Sequence, residues 1–190
     1  MSGKSLWLRR PRKLADRGPE QGYDRAMRPS NHRTAALFLA AIALAACGAS
    51  DPIEMNNRGA EALNRGDPKA ALELFGGAAA ALPPESEQGK RAALGQVEAL
   101  VALDPPRARD TFLAYARAHP AQLEPRDYRR VAGQLTGGRH FLEAIDVIQA
   151  GDLAHPGDET IGKMITLIGE EAKKADSPAA LQKLKGLGYL

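Results

Sequence analysis

The chain has 190 residues, enough for one compact domain and a leader, and carries 26 basic against 23 acidic side chains. The basic surplus belongs to one end: residues 1–47 hold nine basic and three acidic residues, so 17 basic and 20 acidic residues follow Cys47. That balance removes the basic surface needed to neutralise phosphates and argues against a nucleic-acid binder, while a single cysteine excludes an intrachain disulfide.

In chain order, residues 1–26 fit a disordered or start-site extension, because Met27 to Ala46 alone makes a complete signal and translation is expected to begin at Met27. The run Ala35 to Ala46 is apolar, with Arg28, His32 and Arg33 ahead of it. Twelve residues make about 18 Å of helix, too short for a ~30 Å hydrocarbon core, so 27–46 reads as a secretory signal. It ends Leu44-Ala45-Ala46-Cys47, followed by Gly48. These residues resemble the lipobox of bacterial lipoproteins.

The resemblance implies cleavage between Ala46 and Cys47, a diacylglyceryl group on the Cys47 sulfur and no other cofactor. Gly48, where inner-membrane retention in enteric-type bacteria uses Asp, leans toward the outer membrane, facing the periplasm. Residues 47–51 form a short tether reaching at most ~18 Å, which would hold the domain close to the bilayer.

Residues 52–190 are rich in Ala and Leu and poor in aromatics, a helical composition. Helix starts recur as a capping side chain followed by Pro: Asp51-Pro52, Asp67-Pro68, Asp104-Pro105 and Ser177-Pro178, with Glu54 placed to complete a capping box. The cap oxygen accepts an orphan N–H, and Pro has no N–H to leave orphaned. Helices are expected over 52–65, 68–81, 86–103, 106–118, 125–136, 139–150, 158–175 and 178–185, in antiparallel succession because the connections are short.

An internal period runs through this region. Ala71, Phe75, Ala78 and Pro83 stand at offsets 0, 4, 7 and 12; the same offsets recur at Ala108, Phe112, Tyr115 and Pro120, and at Ala144, Ile148, Gly151 and Pro156. The small residue lets the second helix approach the first, the large one fills the gap, and Pro closes the unit. Gly59, Gly95 and Ala132 supply a small residue in each first helix. The pattern resembles the tetratricopeptide repeat over roughly residues 52–156, most closely from Asn57 to Pro84, and the fourth pair resembles a C-terminal cap with Leu181 and Leu184.

The resemblance implies an all-α fold: a short right-handed α-solenoid of about three antiparallel helix pairs plus a capping pair. It also implies a concave face built mainly from first helices, carrying Asn56, Gln96, Arg126, Arg129 and Arg130 as the partner-binding set. The clamp with which some family members grip a peptide C-terminus is poorly matched: Asn56 stands where it wants Lys, Ala60 and Ala93 where it wants Asn, and only Arg126 and Arg130 are compatible.

The sequence offers no catalytic constellation: no zinc helix, no phosphate loop and no nucleophile elbow. His119 and His155, each before a Pro, read as imidazoles at helix C-termini, and His140 as a packing residue. Glu170-Glu171 ahead of Lys173-Lys174 reads as solvated ion pairs, Gly137-Gly138 as a turn, and Gly76-Gly77 as a close-packing point. The expectation is a lipid-anchored periplasmic scaffold that binds other envelope proteins or peptide segments, with no metal, nucleic acid or small-molecule substrate. The alternative is a non-catalytic accessory or degenerate enzyme of envelope remodelling.

Overall fold

A computed structural model describes residues 51–190. The leader, the start at Met27, the Ala46–Cys47 bond and the lipid site at Cys47 lie outside the described residues. Within them the chain is all-α, as expected. The helices are α1 (Pro52–Asn64), α2 (Pro68–Ala81), α3 (Glu87–Leu103), α4 (Pro105–Ala118), α5 (Pro125–Gly137), α6 (Phe141–Ala154), α7 (Glu159–Lys174) and α8 (Pro178–Gly186), with a 3-10 turn at Pro120–Gln122.

The cap-and-proline signature does what its chemistry requires at three of four expected sites. Oδ1 of Asp51 accepts from the Ile53 N–H at 3.0 Å, Asp67 from Ala70 at 3.1 Å and Asp104 from Arg107 at 3.2 Å. Ser177 makes no such bond, although Pro178 opens α8 as expected. The reciprocal box expected at Asp51 and Glu54 forms instead at α5, where Asp127 Oδ2 accepts from the Glu124 N–H at 3.0 Å. Ser86 and Asp158 cap α3 and α7.

Three of the within-pair reversals use one turn. At the end of α1, Gly66 takes φ +76° while the Asp67 N–H reaches back to the Ala62 carbonyl at 2.9 Å. Arg139 (φ +62°) and Asp176 (φ +49°) hold the same place after α5 and α7, with His140 bonded to Leu135 and Ser177 to Ala172, each at 2.9 Å. These left-handed residues satisfy the last free carbonyls of each helix. The second pair differs: Asp104 alone links α3 to α4, ending one and capping the next.

Helix α6 departs from expectation. It begins at Phe141 rather than 139, because Arg139 is consumed by the turn, and it runs to Ala154 rather than 150. Gly151 does not stop it. That glycine is a close-approach point, since a β-carbon there would stand 2.9 Å from both Tyr128 Cγ and Ile161 Cδ1.

Packing is sequential and pairwise. Each helix packs on its neighbour within a pair, and helices of like rank also pack across pairs: α1 on α3, α3 on α5, α5 on α7, α4 on α6 and α6 on α8. The small-then-large rule governs the interior. Ala71, Ala108 and Ala144 are fully buried, and Phe75, Phe112 and Ile148 fill the space one turn on. The fourth pair obeys it too: Ala180 and Leu184, 36 residues beyond Ala144 and Ile148, are both fully buried, so α8 repeats the interior pattern that sequence reading treated only as a cap. Phe112 meets Tyr128 edge-on with centroids 5.2 Å apart.

The period also appears in polar contacts. Asp146 of α6 accepts from Lys183 of α8 at 2.6 Å and lies 3.5 Å from Arg109 of α4, each partner 37 residues away. Gln134 of α5 donates to Glu98 of α3 at 2.8 Å across 36 residues, and Tyr189 to Asp152 at 2.8 Å across 37. The packing is repeat-like in side chains as well as in backbone.

Candidate partner-binding groove

The first helices of the four pairs line one groove of about 990 Å³. Its floor is apolar, with Ala60 and Leu63 of α1, Leu94 of α3 and Met164 of α7. Its walls are cationic, with Lys90 and Arg91 of α3, the three arginines of α5 and Lys163 of α7. Arg126, Arg129 and Arg130 are brought together there, on one side of α5, because i, i+3 and i+4 share a helix face.

Two residues of the expected face are not in the groove. Asn56 is fully buried, and its Nδ2 donates to the Gln88 carbonyl at 2.9 Å and to Gln88 Oε1 at 3.2 Å, tying α1 to α3. Gln96 turns toward α2, where its Nε2 would stand 3.1 Å from a β-carbon on Gly76. Asn56 shares the stripe of Ala60 and Leu63 but is covered by α3, and Gln96 stands on the opposite side of α3 from Lys90, Leu94 and Glu98, which resemblance alone did not resolve. The set that sequence reading missed is Lys90, Arg91, Gly133, Lys163 and Leu167. The signal was available in part: Gly133 follows Arg126 and Arg130 on the same helical stripe.

The charges differ in freedom. Lys90 is spent on structure: its Nζ contacts Asp127 Oδ2 at 2.8 Å and donates to the Gln122 carbonyl at 2.7 Å, with side-chain exposures of only 14% and 10% for the pair. This contact pins the Pro120–Gln122 turn to α3. Tyr115 fastens the same turn from the other side, its single hydroxyl proton shared between Gln122 Oε1 at 2.8 Å and the Pro84 carbonyl at 3.0 Å. Burial, and then the nearby carboxylate of Glu85, raise its phenol above the ordinary range. Arg126 reaches Glu124 at 2.7 Å in an exposed pair that contributes little. Arg91, Arg129 and Arg130 are exposed and form no ion pair among the described residues.

A second, smaller recess of about 330 Å³ continues from the first between α5 and α7, sharing Gly133 and Leu167. Gly133 is neither strained nor crowded: a β-carbon there would meet nothing within 4 Å. Leu167 is 44% exposed beside it.

The histidines stay apart in role. His119 packs at a tilt on Tyr115 with centroids 4.8 Å apart and lies 3.9 Å from Glu85; His155 meets Tyr128 at 5.7 Å. Among the described residues no group of three His, Cys, Asp or Glu is placed to hold a metal ion, and no helix is long and apolar enough to cross a membrane. Glu171 pairs with Lys174 at 2.7 Å on an exposed face, and Gly77 accommodates Met55.

No protein-family model matches the chain, and no curated protein or solved structure is significantly similar to it.

Proposed function

We propose that the chain is a lipid-anchored scaffold of the bacterial cell envelope, a short right-handed tetratricopeptide-like array whose groove binds other envelope proteins. The observation that carries this reading is the groove's construction: it is lined by the first helix of every pair, the side on which stacked helical repeats present a continuous concave surface. The contacts at 36 and 37 residues, close to the family's repeat length, support stacking of like units. Anchoring rests on Leu44-Ala45-Ala46-Cys47 at the end of the apolar run, with two or more acyl chains giving stable attachment. Gly48 favours the outer membrane, facing the periplasm. Binding is favoured over catalysis because the groove's exposed polar groups are mostly guanidinium and ammonium, which hold anions but offer no nucleophile or general base at neutral pH.

The test is metabolic labelling with a clickable palmitate in a bacterial host, together with in-cell crosslinking from position 129. The parent takes up label in the membrane fraction and yields a discrete crosslinked protein, while Cys47→Ser takes up none. Equal labelling of Cys47→Ser would remove the anchor, and the absence of any crosslinked species would remove the scaffold.

A further inference from the structure

We infer that the groove's partner is an acidic protein segment: carboxylates seat on Arg129, Arg130 and Arg91, and a leucine-sized apolar side chain from the same segment enters the notch over Gly133. This rests on the reading of the groove as a partner-binding face and adds the chemistry of what it holds.

Charge comes first. The described residues belong to the part of the chain with more acids than bases, yet six cations line this groove against three acids. Two of those acids are engaged, Asp127 by Lys90 and Glu98 by Gln134, and Glu87 lies at the start of α3. Three exposed guanidiniums are left unpaired among the described residues, on facing helices α3 and α5. Guanidinium forks match carboxylates in bidentate geometry.

Shape comes second. A mid-helix glycine weakens a helix and normally reflects a crowded neighbour or a special backbone. Gly133 has neither, and it opens on the groove one turn beyond Arg129 and Arg130. Leu94, Met164 and the exposed Leu167 line the same groove, so the gap left where Gly133 has no side chain is an apolar notch next to the cations. A groove shared by four helices can receive a chain segment along its length, whereas a flat lipid surface would reach only its rim. An acidic segment with one apolar anchor complements both features.

The experiment uses the full chain in detergent micelles and fluorescence anisotropy of three synthetic peptides: Glu/Leu, Gln/Leu and Lys/Leu. The Glu/Leu peptide binds about tenfold or more tightly than the Gln/Leu one, as charge-assisted contacts require, and the Lys/Leu peptide does not bind. The double variant Arg129→Glu/Arg130→Glu loses the Glu/Leu peptide. Gly133→Leu fills the notch and weakens binding while leaving the helical signal intact and the melting temperature no lower than the parent's. Equal affinity for Glu/Leu and Gln/Leu, with Gly133→Leu still blocking, would keep a partner-binding groove and overturn its acidic specificity. Binding of phosphatidylglycerol vesicles through Arg129 and Arg130, without Glu/Leu binding, would assign the patch to a lipid surface and overturn the inference. The acyl label on Cys47 is read separately, so a failed anchor does not alter these outcomes.

Discussion

A β-carbon placed on Gly95 would stand 2.5 Å from the ring of Phe75, so α3 lies as close to α2 as it does only because residue 95 has no side chain. A β-carbon on Gly59 of α1 would likewise stand 3.0 Å from the ring, which is 2% exposed. A buried aromatic wedged between two helices cannot yield by a simple rotamer change. Gly95→Ala should therefore cost about 1–3 kcal/mol despite alanine's better helix propensity. Gly133→Ala is the matched control: with nothing within 4 Å, it should gain roughly 0.5–1 kcal/mol. Urea midpoints at unchanged slope decide it, and two shifts of the same sign would contradict the packing argument.

Arg139 and Asp176 hold left-handed backbones in turns where the first pair uses Gly66. The crowding of Cβ against its own carbonyl costs an ordinary residue about 1–2 kcal/mol there, partly offset by glycine's greater freedom when unfolded. Arg139→Gly and Asp176→Gly should each stabilise by roughly 0.5–1 kcal/mol, and Gly66→Ala should lose about 1 kcal/mol. Thermal melts of the three variants test the turn equivalence, and a destabilised Arg139→Gly would count against it.

The buried pair Ala180 and Leu184 makes α8 a packed member of the domain rather than a loosely added end. Leu184→Ala should cost about 2–5 kcal/mol, a penalty typical of a core leucine, and Ala180→Leu about 1–3 kcal/mol from overpacking. Leu153→Ala, at a side chain 78% exposed, should stay within about 0.5 kcal/mol. Chemical denaturation monitored by circular dichroism gives the comparison. A Leu184→Ala variant as stable as Leu153→Ala would show that α8 is peripheral.

Tyr189 is the residue whose titration the fold most clearly shifts. Burial, and then its hydrogen bond to Asp152, push its phenol up to about 12 from the ordinary 10. Its folded form thus holds a proton that the unfolded chain gives up sooner. The sign follows: its contribution is fully present below pH 10, falls as pH rises, and is gone above about 12. Tyr189→Phe should show a shallower loss of stability between those values and one late-titrating phenolate fewer in ultraviolet titration. An unchanged alkaline limb would refute the coupling.

Much of the helical plan could be read from the chain because its punctuation is chemical. Asp-Pro pairs mark starts by a mechanism that leaves little choice, and α1, α2 and α4 begin within a residue of expectation. Helix α6 departs from its expected bounds at both ends for a physical reason. No Pro or capping side chain marks its first turn, and Gly151, which looks like a stop, is there to admit Tyr128 and Ile161.

The groove was half legible. Three arginines on one turn of α5 declare a shared face by spacing alone. Which neighbours oppose them depends on how each helix is rotated about its axis, and that is fixed by contacts such as Asn56 with Gln88, far from α5 in sequence. Hence Lys163 and Leu167 of α7 came into view only with the tertiary arrangement.

The row Arg109, Asp146 and Lys183 alternates plus, minus, plus at one equivalent site on consecutive pairs. Deleting the α5–α6 unit would set guanidinium beside ammonium, and duplicating it would set carboxylate beside carboxylate. Charge parity thus marks the α5–α6 unit: its loss, alone among losses of the three units in the row, brings like charges together without a counter-charge between them.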